Sequence, residues 1–152
     1  MESNIIQEIE NTSIINISKV LYSGKVVVTG GRDGKAKSND EKLDIELTSP
    51  GAKGNGTNPE QLLAAGWSAC FIGAMQLGAS KMKISLPTEL FVNTSVDLGT
   101  HDEEYFLQAH LEIHLPGLSI DDAKKVVEAA HATCPYSKAT RGNINVKIDV
   151  VV

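Results

Sequence analysis

The sequence is short of several things at once, and each shortage removes a class of function. It holds only two cysteines, Cys70 and Cys134, sixty-four positions apart. That is too few for the bridged framework of a small secreted domain. In a reducing compartment a static bridge is not expected either, so any pairing of the two would be chemistry. Arginine occurs twice, at Arg32 and Arg141, and there is no run of lysines or arginines. With a net charge of −5 and both signs interspersed, the chain lacks the basic patch with which a nucleic-acid binder neutralises phosphates. No stretch reads as the ~20 apolar residues of a membrane span, and the acidic opening has neither the charge nor the apolar length of a signal or transit peptide. A soluble, cytoplasmic protein with no nucleic-acid or membrane partner is the expectation. No internal repeat or interdomain linker is visible, so the 152 residues make one domain, long enough to bury a core without staples.

What is present centres on Asn58 to Lys81, a nearly all-apolar stretch with Cys70 near its middle. Asn58 suits a helix N-cap, Pro59 the first helical position, and Gln61 stands three residues after the cap. Leu62, Leu63, Ala65, Trp67, Ala69, Phe71, Ala74, Met75 and Leu77 leave no wide polar face, so the helix is expected to be surrounded by protein. Cys70 is then buried or at the bottom of a pocket.

Around this helix the chain alternates between strands and turns. Residues 1–13 show no period and read as an arm or an added edge strand, although Ile14, Ile15 and Ile17 could start a strand. Val20 to Thr29 reads as a strand broken by Gly30-Gly31, and Asp33-Gly34 is a turn signal. An extended segment from Lys35, an Asn39-Asp40 turn and an alternating Leu43 to Leu47 then make an antiparallel meander. The glycine-rich loop 48–57 lacks the lysine and spacing of a phosphate-binding P-loop. Beyond the helix, Glu89 to Leu98 and Tyr105 to Leu115 read as a hairpin with Leu107, Ala109, Leu111, Ile113 and Leu115 on one face. His110 and His114 share the other face with Glu112, about 13 Å apart along the strand and too far to share one metal ion. Ser119 with Asp122 resembles a capping box for a second helix ending near Cys134-Pro135, on whose apolar face Cys134 falls. Asn143 to Val152 closes the chain as a strand. The order gives an α+β fold: antiparallel sheets with a long buried central helix and a second helix.

A thiol in apolar surroundings at mid-helix is inert, because burial disfavours its charged form and the helix ends are far away. To become a nucleophile Cys70 needs a cation that stays charged when buried, and that means arginine. Arg32 and Arg141 both sit in turn-like segments beside glycine, and a buried arginine wants a carboxylate, for which Glu60 is the candidate. The two cysteines would support peroxide reduction through a sulfenic acid and a disulfide, without any bound cofactor. Cys70, His131 and Cys134 could instead hold zinc with one open position, and spacing does not decide between the two.

The segments VLYSGKVVVTGGRDGKA, GTNPEQLLAAGWSACFIGAM and AHATCPYSKATRGNI resemble the organic hydroperoxide resistance (Ohr) family within the OsmC-like superfamily. The resemblance runs from about Lys19 to the C-terminus, leaving residues 1–18 as an N-terminal arm and 19–152 as the domain. It implies that Cys70 is the peroxidatic cysteine, Cys134 the resolving one, Arg32 the cation that stabilises the thiolate and Glu60 the carboxylate that orients Arg32. It also implies a thiol peroxidase for alkyl and fatty-acid hydroperoxides, recycled by the lipoyl dithiol of a lipoylated protein. The implied assembly is an intertwined homodimer with sites at the subunit interface, in which His131 is a packing residue and Arg141 a structural one. Glu60 and Cys70 are ten residues apart, about 15 Å along one helix, so the spacing further predicts that each site takes Cys70 from one chain and Glu60 from the other.

Overall fold

The computed structural model describes residues 14–152, so the first thirteen residues of the expected arm lie outside the described residues. Asn58 opens helix α1 (Pro59–Met82): its side chain accepts from the Gln61 N–H at 2.9 Å, and Pro59 enters the first turn. Lys83, at φ 57°, ends the helix by returning its N–H to Ala79 and Ser80. The N-terminal sheet has order β1 (Val26–Thr29), β2 (Lys35–Ser38), β3 (Asp44–Glu46), all antiparallel, as the alternation predicts. The expected strand begins late, since residues 20–25 carry no strand ladder and their apolar side chains stand exposed. A 3₁₀ turn, Gly31–Asp33, joins β1 to β2. Gly34 closes it because a Cβ there would come within 1.7 Å of the Thr29 carbonyl oxygen.

The second sheet combines the expected hairpin, β4 (Phe91–His101) and β5 (Glu104–His114), with β6 (Asn145–Val151). Asp102 and Glu103, both at positive φ, form the tight turn of the hairpin. One ladder departs from the antiparallel expectation: β6 runs parallel to β5, from Gln108 opposite Asn145 to His114 opposite Val151. The reason is the connection. Helix α2 (Ile120–Thr133), capped by Ser119 accepting from the Asp122 N–H, carries the chain about 21 Å back along the last two-thirds of β5, so the next strand starts opposite Gln108 and runs the same way as β5. The residues after Cys134 form a further short helix, α3 (Pro135–Thr140), that the periodicity does not announce.

The core lies between this sheet and the helices. Ala109, Leu111, Ile113 and Leu115 of β5 face Trp67, Phe71, Met75 and Ala79 of α1 and Ala123, Val126, Val127 and Ala130 of α2. The α1 contribution is a stripe with a four-residue period, one face of the helix only. The expectation of a helix enclosed on all sides is therefore corrected for the single chain. Leu62, Ala65, Ala69, Gly73 and Leu77 lie open on the opposite face, Leu77 at 58 % exposure. By length and composition α1, with 24 residues, would also reach across a bilayer, contrary to the sequence reading; its apolarity has a second explanation in the stripe buried in the core. Replacing Phe71 by alanine removes a fully buried ring from the centre of that stripe. We expect a loss of about 3–5 kcal/mol in urea unfolding; a loss below about 1 kcal/mol would mean that the stripe does not hold the helix to the sheet.

Candidate active site

Cys70 lies on α1 at the border of the buried stripe, half-buried, and Cys134 lies fully buried where α2 ends. The two thiols lie close to each other, Cys70 packing against the core cluster that contains Cys134. They stand sixty-four positions apart in the chain, and the return crossing of α2 brings them together. Burial is the main influence on Cys70 and pushes its thiol above the ordinary value; the neighbouring Cys134 pushes the same way. One group opposes them: the main-chain N–H of Tyr136, which donates to the Cys70 sulfur. Left to this chain alone, Cys70 is a thiol at neutral pH.

Within one chain the arginine does not lie beside it. Arg32, on the 3₁₀ turn, donates through Nη1 to Glu60 Oε2 at 3.0 Å and through Nη2 to Glu60 Oε1 at 2.6 Å, the two-pronged geometry that arginine and carboxylate planes favour. The guanidinium hydrogen bond holds the Glu60 carboxyl below the usual carboxylate range, and Glu60 raises Arg32 in return. The Arg32 side chain is 41 % exposed and that of Glu60 12 %, so the pair presents one open side. Glu60 stands in the first turn of α1, about 15 Å along the helix from Cys70. The structure thus brings Cys70 to Cys134 and Arg32 to Glu60, as two separate pairs. Beside Glu60 a cleft of ≈ 500 Å³ with mostly apolar walls runs between α1 and β4, lined by Pro50, Gln61, Ala64, Val96 and Leu98 among others.

Three features of the site are not visible in sequence patterns. Asp33 accepts from the Ser49 N–H and hydroxyl, both at 2.8 Å, which ties the arginine turn to the glycine-rich loop. That loop is clasped to β3 through Leu47 and Thr57 and runs into the Asn58 cap, so Arg32 and Glu60 are aimed by one continuous support. Gly66 is the second: a Cβ there would meet Tyr136 Oη at 2.8 Å. The third is the Tyr136 donor itself, for which the signal is the preceding Pro135, a residue with no N–H to offer.

The remaining candidates resolve differently. Arg141 donates to the His131 carbonyl oxygen and so braces the end of α2. His131 is held below the usual histidine range by burial and by Arg141, and its Nδ1 has no hydrogen-bond partner among the described residues. The zinc alternative needs Cys70, His131 and Cys134 to converge, and among the described residues no three such side chains do. His110 and His114 are not merely solvated: His110 meets Asp149 at 2.8 Å, while His114 meets Glu112 at 2.5 Å and stacks on Phe91.

The profile of the OsmC-like protein family matches residues 50–149. An organic hydroperoxide resistance protein of Xanthomonas axonopodis pv. citri is 46 % identical over 134 residues, covering 86 % of this chain and 94 % of the relative. Among solved structures, an organic hydroperoxide resistance protein from Legionella pneumophila superposes with a TM-score of 0.82 at 40 % identity, covering 88 % of this chain and 100 % of that one. The organic hydroperoxide resistance protein OhrB of Bacillus subtilis superposes with a TM-score of 0.78 at 39 % identity, covering 86 % and 99 %.

The unequal burial of the two sulfurs has a direct readout. Iodoacetamide at neutral pH is expected to alkylate Cys70 in the folded protein and Cys134 only after denaturation, as peptide mass mapping will record. Equal labelling of both in the folded state would contradict the closed environment of Cys134.

Proposed function

Because the chain belongs to the OsmC-like family, among its organic hydroperoxide resistance proteins, we propose that it is a cytoplasmic thiol peroxidase that reduces alkyl and fatty-acid hydroperoxides to alcohols. The observation that carries this reading is the meeting of Cys70 with Cys134 at the end of α2. The Cys70 thiolate attacks the outer peroxide oxygen, the O–O bond breaks, and the departing alkoxide takes a proton to leave as the alcohol. Sulfur has then lost two electrons and carries the oxygen as a sulfenic acid. The Cys134 sulfur displaces that oxygen as water and closes a disulfide, which an external lipoyl dithiol opens by thiol–disulfide exchange, becoming a cyclic disulfide itself. Every electron is accounted for by two thiols, one peroxide and one dithiol, with no bound cofactor in the cycle.

Arg32 and Glu60 enter from a second copy of the chain. The support is threefold. Glu60 cannot share a small site with the Cys70 of its own straight helix. One face of α1 stands open, as do the apolar side chains of residues 14–22, Ile15 at 89 % and Leu21 at 86 % exposure, more apolar surface than a lone chain usually leaves in water. A two-fold related copy covers such surfaces reciprocally and turns each Arg32–Glu60 pair toward the partner's Cys70. There the guanidinium supplies the charge that burial denies, and Glu60 fixes the plane of its fork. The apolar cleft beside Glu60 then receives the organic part of the substrate, with burial of about 0.8 kcal/mol per methylene favouring long chains.

Intact mass after one equivalent of an organic hydroperoxide is expected to fall by two hydrogens, and this loss should vanish in Cys70→Ser. An unchanged mass would sink the peroxidase reading. Cys134→Ser should react once and accumulate sulfenic or sulfinic acid; normal turnover with a lipoyl dithiol would remove Cys134 from the cycle. Arg32→Ala is expected to raise the Cys70 pKa and slow the first step by at least about tenfold at neutral pH. Mixing slowed Arg32→Ala and inactive Cys70→Ser chains after partial unfolding tests the two-chain site: exchanged dimers regain one full-rate site in two, whereas a site built within one chain regains none.

A further inference from the structure

We propose that Thr94 is a specificity-determining residue of the cleft beside Glu60: its hydroxyl offers the bound organic part an acceptor and no donor, so the cleft favours hydroperoxides that carry a hydroxyl group there over those that carry an ether. The inference rests on the reading of that cleft as the seat of the organic part. It begins from the pattern of β4, where alternate residues turn to opposite sides of the sheet. Val92 and Val96 pack against the core under α1, and Leu98 continues their row along the cleft. Thr94 stands between the two valines, opposite Leu111 of β5, and is the one polar member of that row. It is half-buried and lines the cleft together with Glu60, Ala64, Val96 and Leu98.

A count of protons fixes the character of its oxygen. Thr94 Oγ1 lies 2.7 Å from Ser68 Oγ, and Ser68 Oγ lies 2.7 Å from the main-chain carbonyl oxygen of Ala64, one turn back in α1. A carbonyl has no proton to give and Ser68 has a single hydroxyl proton, so that proton goes to Ala64. The short contact between the two hydroxyls is then a hydrogen bond only if Thr94 donates it. Its own proton is thereby committed, and lone pairs are what its oxygen has left. Donation along such a chain also strengthens the first oxygen as an acceptor. Ser68 stands two turns beyond Glu60, about 12 Å along α1, so this acceptor lies well away from the carboxylate that holds Arg32. An O–H on the organic part finds a partner there, whereas an ether oxygen sets lone pairs against lone pairs in an apolar wall.

Calorimetric titration of the whole protein with decanediol, a hydroxyl at each end, and with its dimethyl ether reads this preference without turnover. We expect the parental protein to bind the diol about tenfold more tightly than the ether. Thr94→Val keeps the shape of the side chain and removes the acceptor, so the preference should shrink to about twofold, chiefly through weaker binding of the diol. Ser68→Ala removes the group that takes the Thr94 proton. Thr94 can then donate, and binding of the ether should strengthen by about fivefold. A Ser68–Thr94 contact that served only to hold β4 on α1 would lower melting in both variants and weaken both ligands alike. Equal binding of the two ligands by the parental protein overturns the proposal, as does binding of neither. A folded Thr94→Val or Ser68→Ala protein with the parental preference overturns it too, and Ser68→Ala serves if Thr94→Val does not fold. Failure of the peroxidase reading looks different: the ligand preferences follow as described while the parental protein leaves organic hydroperoxide unconsumed.

Discussion

A sulfur in the middle of an apolar helix cannot carry charge by its own means, and the rest of the site answers to that constraint. Burial raises the Cys70 thiol, the Cys134 thiol adds to the effect, and the ends of α1 are several turns away. Every group that could favour the thiolate must come from another part of the chain or from another chain. The α2–α3 junction supplies one neutral donor, at Tyr136. The 3₁₀ turn between β1 and β2 holds a full charge on Arg32, oriented by Glu60, which the proposed dimer would bring to the sulfur.

This division explains features that are otherwise unrelated. The Asp33–Ser49 clasp and the glycine-rich loop fix an arginine whose carboxylate partner among the described residues is Glu60. The same helix that buries Trp67, Phe71, Met75 and Ala79 leaves its other face bare. In the proposed dimer both would be completed by contact between copies: the bare face is where hydrophobic burial is still available, and the held arginine is the charge that such burial would bring to the sulfur.

Much of this was legible in the sequence. The Asn58 cap with Pro59, the Ser119 cap, the alternation of β5 and the meander of β1 to β3 are local signals, and they place the elements correctly. The need of a buried cation for a carboxylate pointed to Glu60 but left Arg32 and Arg141 both open, and it was the family resemblance that paired Glu60 with Arg32, the contact that the structure holds. What the sequence hid was long-range. The direction of β6 depends on where α2 leaves it, not on its own alternation. The open face of α1 carries small and apolar residues indistinguishable from core residues until the sheet has chosen a side. Val20 to Lys25 has strand composition but no neighbouring strand to pair with, and composition alone makes no ladder.

The parallel closure of β6 against β5 also sets a timetable. Cys70 leaves the ribosome with the first half of the chain, whereas Cys134 is seated only when the return crossing is complete and the last seven-residue strand has docked. Contacts that close so much chain form late in folding. A nascent or half-folded molecule therefore exposes Cys70 without the Cys134 neighbour that would resolve it in the proposed cycle, and oxidant that reaches it at that stage can drive it past the reversible sulfenic state. On the proposed cycle, the protein is most vulnerable to peroxide just before it becomes able to remove it.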